Sequence, residues 1–133
     1  MLCLSRIWMH RLIRISAVVA WMGLIFFFSA QPSLPSVHDA LLDTVLKKGG
    51  HVIGYAVLMV LLLQAAGSQN KPLTVWHVTL CLAILIGYAC SDEFHQSFVP
   101  GRNASLMDVI LFDVPGGLLG LILRFRPVQI RSS

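Results

Sequence analysis

Residues 15–30, ISAVVAWMGLIFFFSA, form an unbroken apolar run without a charged side chain. About 20 apolar residues in a helix are enough to span the roughly 30 Å hydrocarbon core of a bilayer. We therefore predict a first transmembrane helix over residues 12–30, which ends before Pro32 because proline interrupts helical hydrogen bonding. Arginines ahead of the run also fit a signal peptide, but the run is long for one and residues 28–30 make a poor cleavage site.

Three further apolar stretches predict transmembrane helices over residues 48–66, 73–91 and 105–125. Hydrophobic residues make up 56% of the 133-residue chain and charged residues only 12%, whereas soluble domains are about 25% charged. A soluble domain of this length has too little interior to hide so much apolar surface. The predicted fold class is an all-α membrane protein, a single domain over residues 1–133 built as a bundle of four transmembrane helices.

A short amphipathic helix is expected between the first and second spans, over residues 36–46. Its apolar side chains recur at helical spacing and its polar side chains fall elsewhere around the axis, namely Val37, Leu41, Leu42 and Val45 against His38, Asp39 and Asp43. The segment is too short to cross a bilayer, so we predict that this helix lies in the membrane interface.

The basic residues predict how the chain is oriented in the membrane. Four spans place both termini on one side, and that side holds seven of the ten basic residues: Arg6, Arg11, Arg14, Lys71, Arg124, Arg126 and Arg131. The other side holds Lys47, Lys48 and Arg102. By the positive-inside rule we expect both termini to be cytoplasmic. Basic residues placed as topology signals argue against a nucleic-acid partner, despite a net charge of +4.

All six acidic residues lie in or beside the two loops on the opposite, extracytoplasmic side: Asp39, Asp43, Asp92, Glu93, Asp108 and Asp113. In the segment SDEFHQ (residues 91–96), Asp92, His95 and Gln96 are three and four residues apart and share a helical face. Glu93 also reaches Gln96. Two carboxylates at the C-terminal end of a helix meet the negative end of its dipole, so a compensating cation is expected rather than solvent alone.

The start of the second predicted helix offers such charges. Lys48, His51 and Tyr55 follow one another at i, i+3 and i+7, which places them in one stripe. A lysine at the positive end of a helix dipole is also unfavourable, so two helix ends that meet would satisfy both charges. Lys47 is expected to extend toward lipid headgroups instead. Arg102 could bind a carboxylate of this chain or a phosphate of a lipid or substrate.

Two acids belong to the fourth predicted helix. Asp108 follows Ser105 in an S-x-x-D pattern, which predicts a helix cap and does not exclude a role in a site. Asp113 lies deeper in the span, where it should face the bundle interior with a partner or be neutral and hydrogen-bonded. Pro115 follows and leaves the carbonyl of Leu111 without its helical donor.

Small residues predict where helices pack closely. Gly116 and Gly120 form a small-xxx-small pair on the fourth helix. Gly49, Gly50 and Gly54 leave the start of the second helix slim, so another helix is expected to approach there as well.

Several of these segments together resemble the VanZ-like family. They are FSAQP at residues 28–32, Lys48 with His51 and Tyr55, YACSDEFHQSFVPGR at residues 88–102, and then Asp108, Asp113 and Gly117. The resemblance covers nearly the whole chain, and residues 91–102 are its most specific block. The resemblance implies a small multi-spanning protein of the cell envelope, in a bacterial inner (plasma) membrane. The family is named for a member linked to low-level teicoplanin resistance, and the resemblance implies no particular reaction.

Three functions fit the sequence. The first is a non-enzymatic envelope protein whose extracytoplasmic site binds an envelope lipid, a wall precursor or a glycopeptide. The second is a membrane-embedded hydrolase or transferase that holds a divalent metal or performs acid–base chemistry. Its residues would be Asp92, Glu93, His95 and His51. The third is transport or proton coupling through Asp113 and Pro115. The ligand-binding candidates are Lys48, His51, Tyr55, Asp92, Glu93, His95, Gln96, Arg102, Asp108 and Asp113.

Overall fold

The computed structural model describes residues 2–31, 40–67, 73–100, 102 and 104–125, and this part of the chain folds into helices without a strand. The helices are α1 (Leu2–Ser29), α2 (Ala40–Ala66), α3 (Val75–Gln96) and α4 (Leu106–Phe125). Each contains a stretch long and apolar enough to cross a bilayer: Trp8–Ser29, Val45–Ala66, Val75–Gln96 and Leu106–Phe125. The predicted all-α membrane protein with four spans is confirmed.

The interfacial helix predicted between the first and second spans is not a separate element over the part that the structure describes. Residues 40–46 form the first turns of α2 and continue without a break into its membrane span. Residues 36–39 lie outside the described residues. Residues 40–48 contain the strong helix formers alanine, leucine and lysine, which favour a helix that continues through Gly49 and Gly50.

The helices run alternately up and down the bundle. Ser29, at the end of α1, contacts Asp92 near the end of α3, and Arg102, in the loop between α3 and α4, donates to the carbonyl of Ser29. At the opposite end, Arg14 donates to the carbonyls of Gln64 and Gly67 and so caps the C-terminus of α2. We call the end where α1 and α3 finish the site end, because the polar side chains meet there.

The closest helix packing joins α2 and α4. A Cβ atom added to Gly116 would collide with the carbonyl oxygen of Val52, and one added to Gly120 would collide with that of Ala56. The predicted small-xxx-small contact is therefore present, and its partner helix is α2. The prediction was wrong for Gly49 and Gly50, whose positions face open space.

Large apolar side chains cover the outside of the bundle. Examples from all four helices are Leu12, Val19, Phe27, Ile53, Trp76, Ile110 and Ile122, each more than half exposed. The buried core is small by comparison and centres on Leu58, Met59, Leu63 and Leu85. Such a surface requires an apolar environment, so the lipid bilayer supplies the burial that the interior does not.

Candidate functional site

Two ion pairs connect α2 to α4 at the site end. The ammonium of Lys48 lies 3.1 Å from Oδ1 of Asp108, and Nδ1 of His51 lies 2.9 Å from Oδ1 of Asp113. The first pair is partly open to solvent, with its side chains 39% and 28% exposed, whereas Asp113 is fully buried. Lys48 and His51 were expected to pair with the carboxylates of α3; the structure places their bonded partners on α4.

A π-helical turn over Val109–Asp113 aligns the two acids of α4. Residues five apart in an α-helix lie about 140° apart around the axis, given 3.6 residues per turn. In a turn closed by i→i+5 bonds they return to the same side, and the amide of Val114 does donate to the carbonyl of Val109. Asp108 and Asp113 therefore face the same helix, and each meets one member of the α2 stripe.

Asp92 is held between α1 and α3. Its Oδ2 accepts hydrogen bonds from the hydroxyl of Ser29 at 2.7 Å and from the amide of Gln96 at 3.1 Å. Asp92 is 1% exposed, and the same amide also reaches the Ser29 hydroxyl at 3.4 Å. Ser29 was not among the predicted site residues. The sequence feature that could have indicated Ser29 is its position, since it is the polar residue at the end of the apolar run of α1.

Glu93 caps the N-terminus of α4. Its Oε2 accepts the backbone N–H of Ser105 at 2.7 Å, and Glu93 is 4% exposed. The hydroxyl of Ser105 accepts the N–H of Met107, so Ser105 is the N-cap that the S-x-x-D pattern predicted. The reciprocal bond expected from Asp108 comes from Glu93 instead, because the Asp108 carboxylate is directed to Lys48.

His51, Glu93 and Asp113 form a compact group that we call the acid–His cluster. Each offers one nitrogen or oxygen atom, and these atoms all lie within 4.8 Å of one another. Tyr55, fully buried one turn below, stacks on the ring of His51 with centroids 6.1 Å apart. Within the described residues, the Tyr55 hydroxyl, Oδ1 of Asp92 and Oδ2 of Asp113 are buried without a hydrogen-bond partner.

Two predicted site residues lie away from this cluster. The ring of His95 packs on that of Phe26, with centroids 4.1 Å apart, and contributes no atom to the acid–His cluster. Arg102 donates to the carbonyls of Phe28 and Ser29 at 3.2 and 3.3 Å, so it caps the C-terminus of α1. A carboxylate partner for Arg102 was one of the two expectations; the structure shows backbone carbonyls in that place.

A cleft of about 320 Å³ separates α1 from α2 at the site end. Its walls are mainly apolar and include Trp21, Ile25 and Ile53. Its polar members come from the site end of the bundle and are Ser29, Lys47, His51 and Arg102. His51 and Tyr55 line the cleft as well, so the acid–His cluster borders it through His51. Sequence patterns did not predict this cleft.

The comparisons with known proteins agree with the segments described above. The sequence model of the VanZ/LLP1 family matches residues 15–126, which is most of the chain and includes every residue of the two ion pairs and of the acid–His cluster. No curated protein and no solved structure matches the chain. The chain is a member of the VanZ/LLP1 family.

Proposed function

We propose that this protein binds a phosphate-bearing lipid of the cell envelope, either a phospholipid or a lipid-linked wall precursor, at the site end of the bundle. The observation that carries the proposal is the cleft between α1 and α2. Its walls are apolar along the span, and two cationic side chains, Lys47 and Arg102, line the same end as His51. An acyl chain fits the first environment and a phosphate fits the second.

The polar groups behind the cleft support a binding role. Ion pairs to α4 hold the stripe of Lys48 and His51 in place, and Ser29 connects the cleft wall to Asp92. Side chains fixed in this way lose little freedom when a ligand arrives, which favours affinity. The basic-residue distribution predicts that this end lies on the extracytoplasmic side, where envelope lipids and wall precursors are accessible. A reporter fused after residue 101 is expected to lie on that side. A cytoplasmic signal from it would contradict the predicted orientation.

The test is a matched pair of substitutions in α2. Gly50 lines the cleft and has open space beside it, so Gly50→Leu fills the cleft without a collision. Gly49 also faces open space but is not part of the cleft lining, so Gly49→Leu is the control. Native mass spectrometry would count lipids retained after extraction, with added anionic and zwitterionic phospholipids and a polyprenyl phosphate as separate arms.

We expect Gly50→Leu to weaken lipid retention at least about tenfold, which corresponds to about 1.4 kcal/mol, and Gly49→Leu to leave it unchanged. Equal retention by both variants would refute the cleft as the binding site. A glycopeptide arm separates the family's namesake role from the lipid role: teicoplanin binding that Gly50→Leu abolishes would assign the cleft to the antibiotic. Unchanged teicoplanin susceptibility of a deletion strain would remove that role from this protein.

A second candidate function is favoured by the pairing of His51 with Asp113. A buried carboxylate that accepts the Nδ1 proton of a histidine leaves Nε2 free to take a proton as a general base. The chain would then act on the phosphate ester of the lipid rather than only bind it. Release of phosphate from a polyprenyl phosphate or pyrophosphate, lost in His51→Gln and retained in His95→Gln, would establish this activity; no release from either substrate would exclude it.

A further inference from the structure

Buried negative charge is concentrated in the middle of the site end. Asp92, Glu93 and Asp113 are 1%, 4% and 0% exposed. The cations nearby are bonded elsewhere, since Lys48 is paired with Asp108 and Arg102 is bonded to backbone carbonyls. His51 bonds to one member of the group, Asp113. Buried carboxylates are stable when they are paired or when they coordinate a metal, so this group calls for further positive charge.

The geometry of the acid–His cluster meets that requirement. One atom from each of His51, Glu93 and Asp113 lies within 4.8 Å of the others, and the three residues come from three different helices. Asp113 is fully buried, and its Oδ2 has no hydrogen-bond partner in the described part of the chain. A carboxylate oxygen in that condition is available to a cation.

We infer that the acid–His cluster binds one divalent metal ion through His51, Glu93 and Asp113, with zinc or manganese as the metal. One imidazole and two carboxylates make a mixed nitrogen and oxygen set, which these metals accept, whereas calcium and magnesium prefer oxygen ligands alone. Three protein ligands leave a coordination position for water or for an oxygen of a ligand. The site does not depend on the lipid proposed above, since its three ligands all belong to the protein.

Small movements complete the coordination. Ligand atoms around a tetrahedral zinc lie about 3.3 Å apart, given bonds of roughly 2.0–2.1 Å. The atoms of His51 and Asp113 are already 2.9 Å apart, and rotation of side chains would bring any wider pair of the cluster to that spacing. The cleft supplies an entry route, because it is lined by His51 and by Tyr55. The ring of Tyr55 stacks on that of His51, and its buried hydroxyl has no hydrogen-bond partner among the described residues.

The test is metal binding by the purified, tag-free protein in detergent. Chelator-treated protein is dialysed against Zn²⁺ or Mn²⁺, with Mg²⁺ and Ca²⁺ as comparison arms, and bound metal per chain is measured by elemental analysis. We expect about one Zn²⁺ or Mn²⁺ per chain at saturation and a rise in the thermal unfolding midpoint, because a ligand that binds the folded state stabilises it. Co²⁺ is expected to give the visible absorption of a low-coordinate site, and excess Zn²⁺ to remove it.

Matched variants locate the site. Asp113→Asn and Glu93→Gln should weaken binding at least about 100-fold, because loss of a partner behind a metal ligand already costs about 10- to 100-fold. Asp108→Asn is the control, because it makes the same change on α4, also removes a pair with α2, and lies outside the cluster.

Wild-type protein that binds no stoichiometric metal would overturn the inference, as would metal retained in both Asp113→Asn and Glu93→Gln. If Asp113→Asn does not fold, Glu93→Gln and the Co²⁺ spectrum of the wild type still decide. Lipid retention is measured without added metal, so each proposal can fail alone.

Discussion

The two faces of α2 differ in how they contact their neighbours. On one face, glycines bring α4 so close that no Cβ atom would fit at Gly116 or Gly120, and two ion pairs bridge the same interface. On the other face, α1 stands away and leaves a cleft of about 320 Å³ beside Gly50. Helix α2 thus packs tightly against α4 and leaves a cleft beside α1.

The difference assigns separate roles to the two interfaces. The α2–α4 interface fixes the relative position of the charged side chains, and it does so with backbone contacts that allow little sliding. The α1–α2 interface leaves room for a ligand. Its hydrogen bonds come from Arg14, on the carbonyls of Gln64 and Gly67 at the C-terminus of α2, and from Trp21, on the carbonyl of Gly54 beside the cleft. Four predictions test this division, beginning with the largest expected effect.

Gly120→Leu should destabilise the bundle more than any other change considered. The new side chain would enter the backbone of α2 at Ala56, and neither helix can yield without separating from the other. We expect a loss of at least about 3 kcal/mol, at the upper end of the range for overpacked cores. The measurement is unfolding in mixed micelles, followed by helical circular dichroism.

The control for this variant is Gly50→Leu on the open face of α2. It replaces a helical glycine in open space, so stability should stay the same or rise by up to about 1 kcal/mol. Similar losses from the two variants would show that the interfaces do not differ as the structure indicates.

Asp113→Ala should have the next largest effect. Compared with Lys48→Ala, it shows how much each of the two ion pairs in the α2–α4 interface contributes to stability. Removing a buried partner leaves His51 without its acceptor, and we expect a loss of about 2–3 kcal/mol. Lys48→Ala breaks the partly exposed pair and should cost no more than about 1 kcal/mol. High salt should reduce the contribution of Lys48 and leave that of Asp113 nearly unchanged. Equal costs for both variants would contradict the difference in burial.

The four spans and the Gly116–Gly120 contact could be predicted from the sequence because both depend on local patterns. Apolar run length sets a span, and the spacing of small residues sets a helix-packing face. The sequence pattern could not predict which carboxylate each basic side chain bonds to. Lys48 was expected opposite the carboxylates of α3, but it bonds to Asp108, because the rotation of each helix about its axis decides which charges meet.

The π-helical turn is the feature that sequence reasoning lacked. A regular helix would direct Asp108 and Asp113 to different neighbours, and only i→i+5 bonding brings both to α2. Pro115 gave a partial signal, since it interrupts the bonding just after the turn. His95 shows the same limit on α3. His95 and Gln96, three and four residues after Asp92, lie to either side of it around the helix axis. Gln96 therefore donates a hydrogen bond to Asp92, whereas His95 packs on Phe26.

Ser29→Ala tests whether α1 is anchored by the polar network at the site end. The variant removes the 2.7 Å hydrogen bond to Asp92 and leaves that buried carboxylate with the Gln96 amide. We expect a loss of about 1–2 kcal/mol, because a hydrogen bond to a buried charged group contributes about that much even where a second donor remains. Ser91→Ala, beside Asp92 but exposed and bonded only to its own helix, is the control and should be close to neutral. A neutral Ser29→Ala would mean that the Ser29–Asp92 hydrogen bond does not hold α1 at that end, where Arg102 also bonds to its last carbonyls.

Trp21→Phe should give the smallest effect and bears most directly on the cleft. It removes the 2.9 Å hydrogen bond from the indole to the carbonyl of Gly54 and keeps most of the apolar contact, so a loss of about 1 kcal/mol is expected. Trp76→Phe, on an exposed tryptophan, is the control for the residue change itself.

Because Trp21 joins α1 to α2 alongside the cleft, its loss should let the cleft widen at little cost in stability. Lipid retention should then change more than the unfolding free energy does. The reverse result, a large loss of stability with unchanged retention, would place α1 among the fixed parts of the bundle and contradict an adaptable α1–α2 interface.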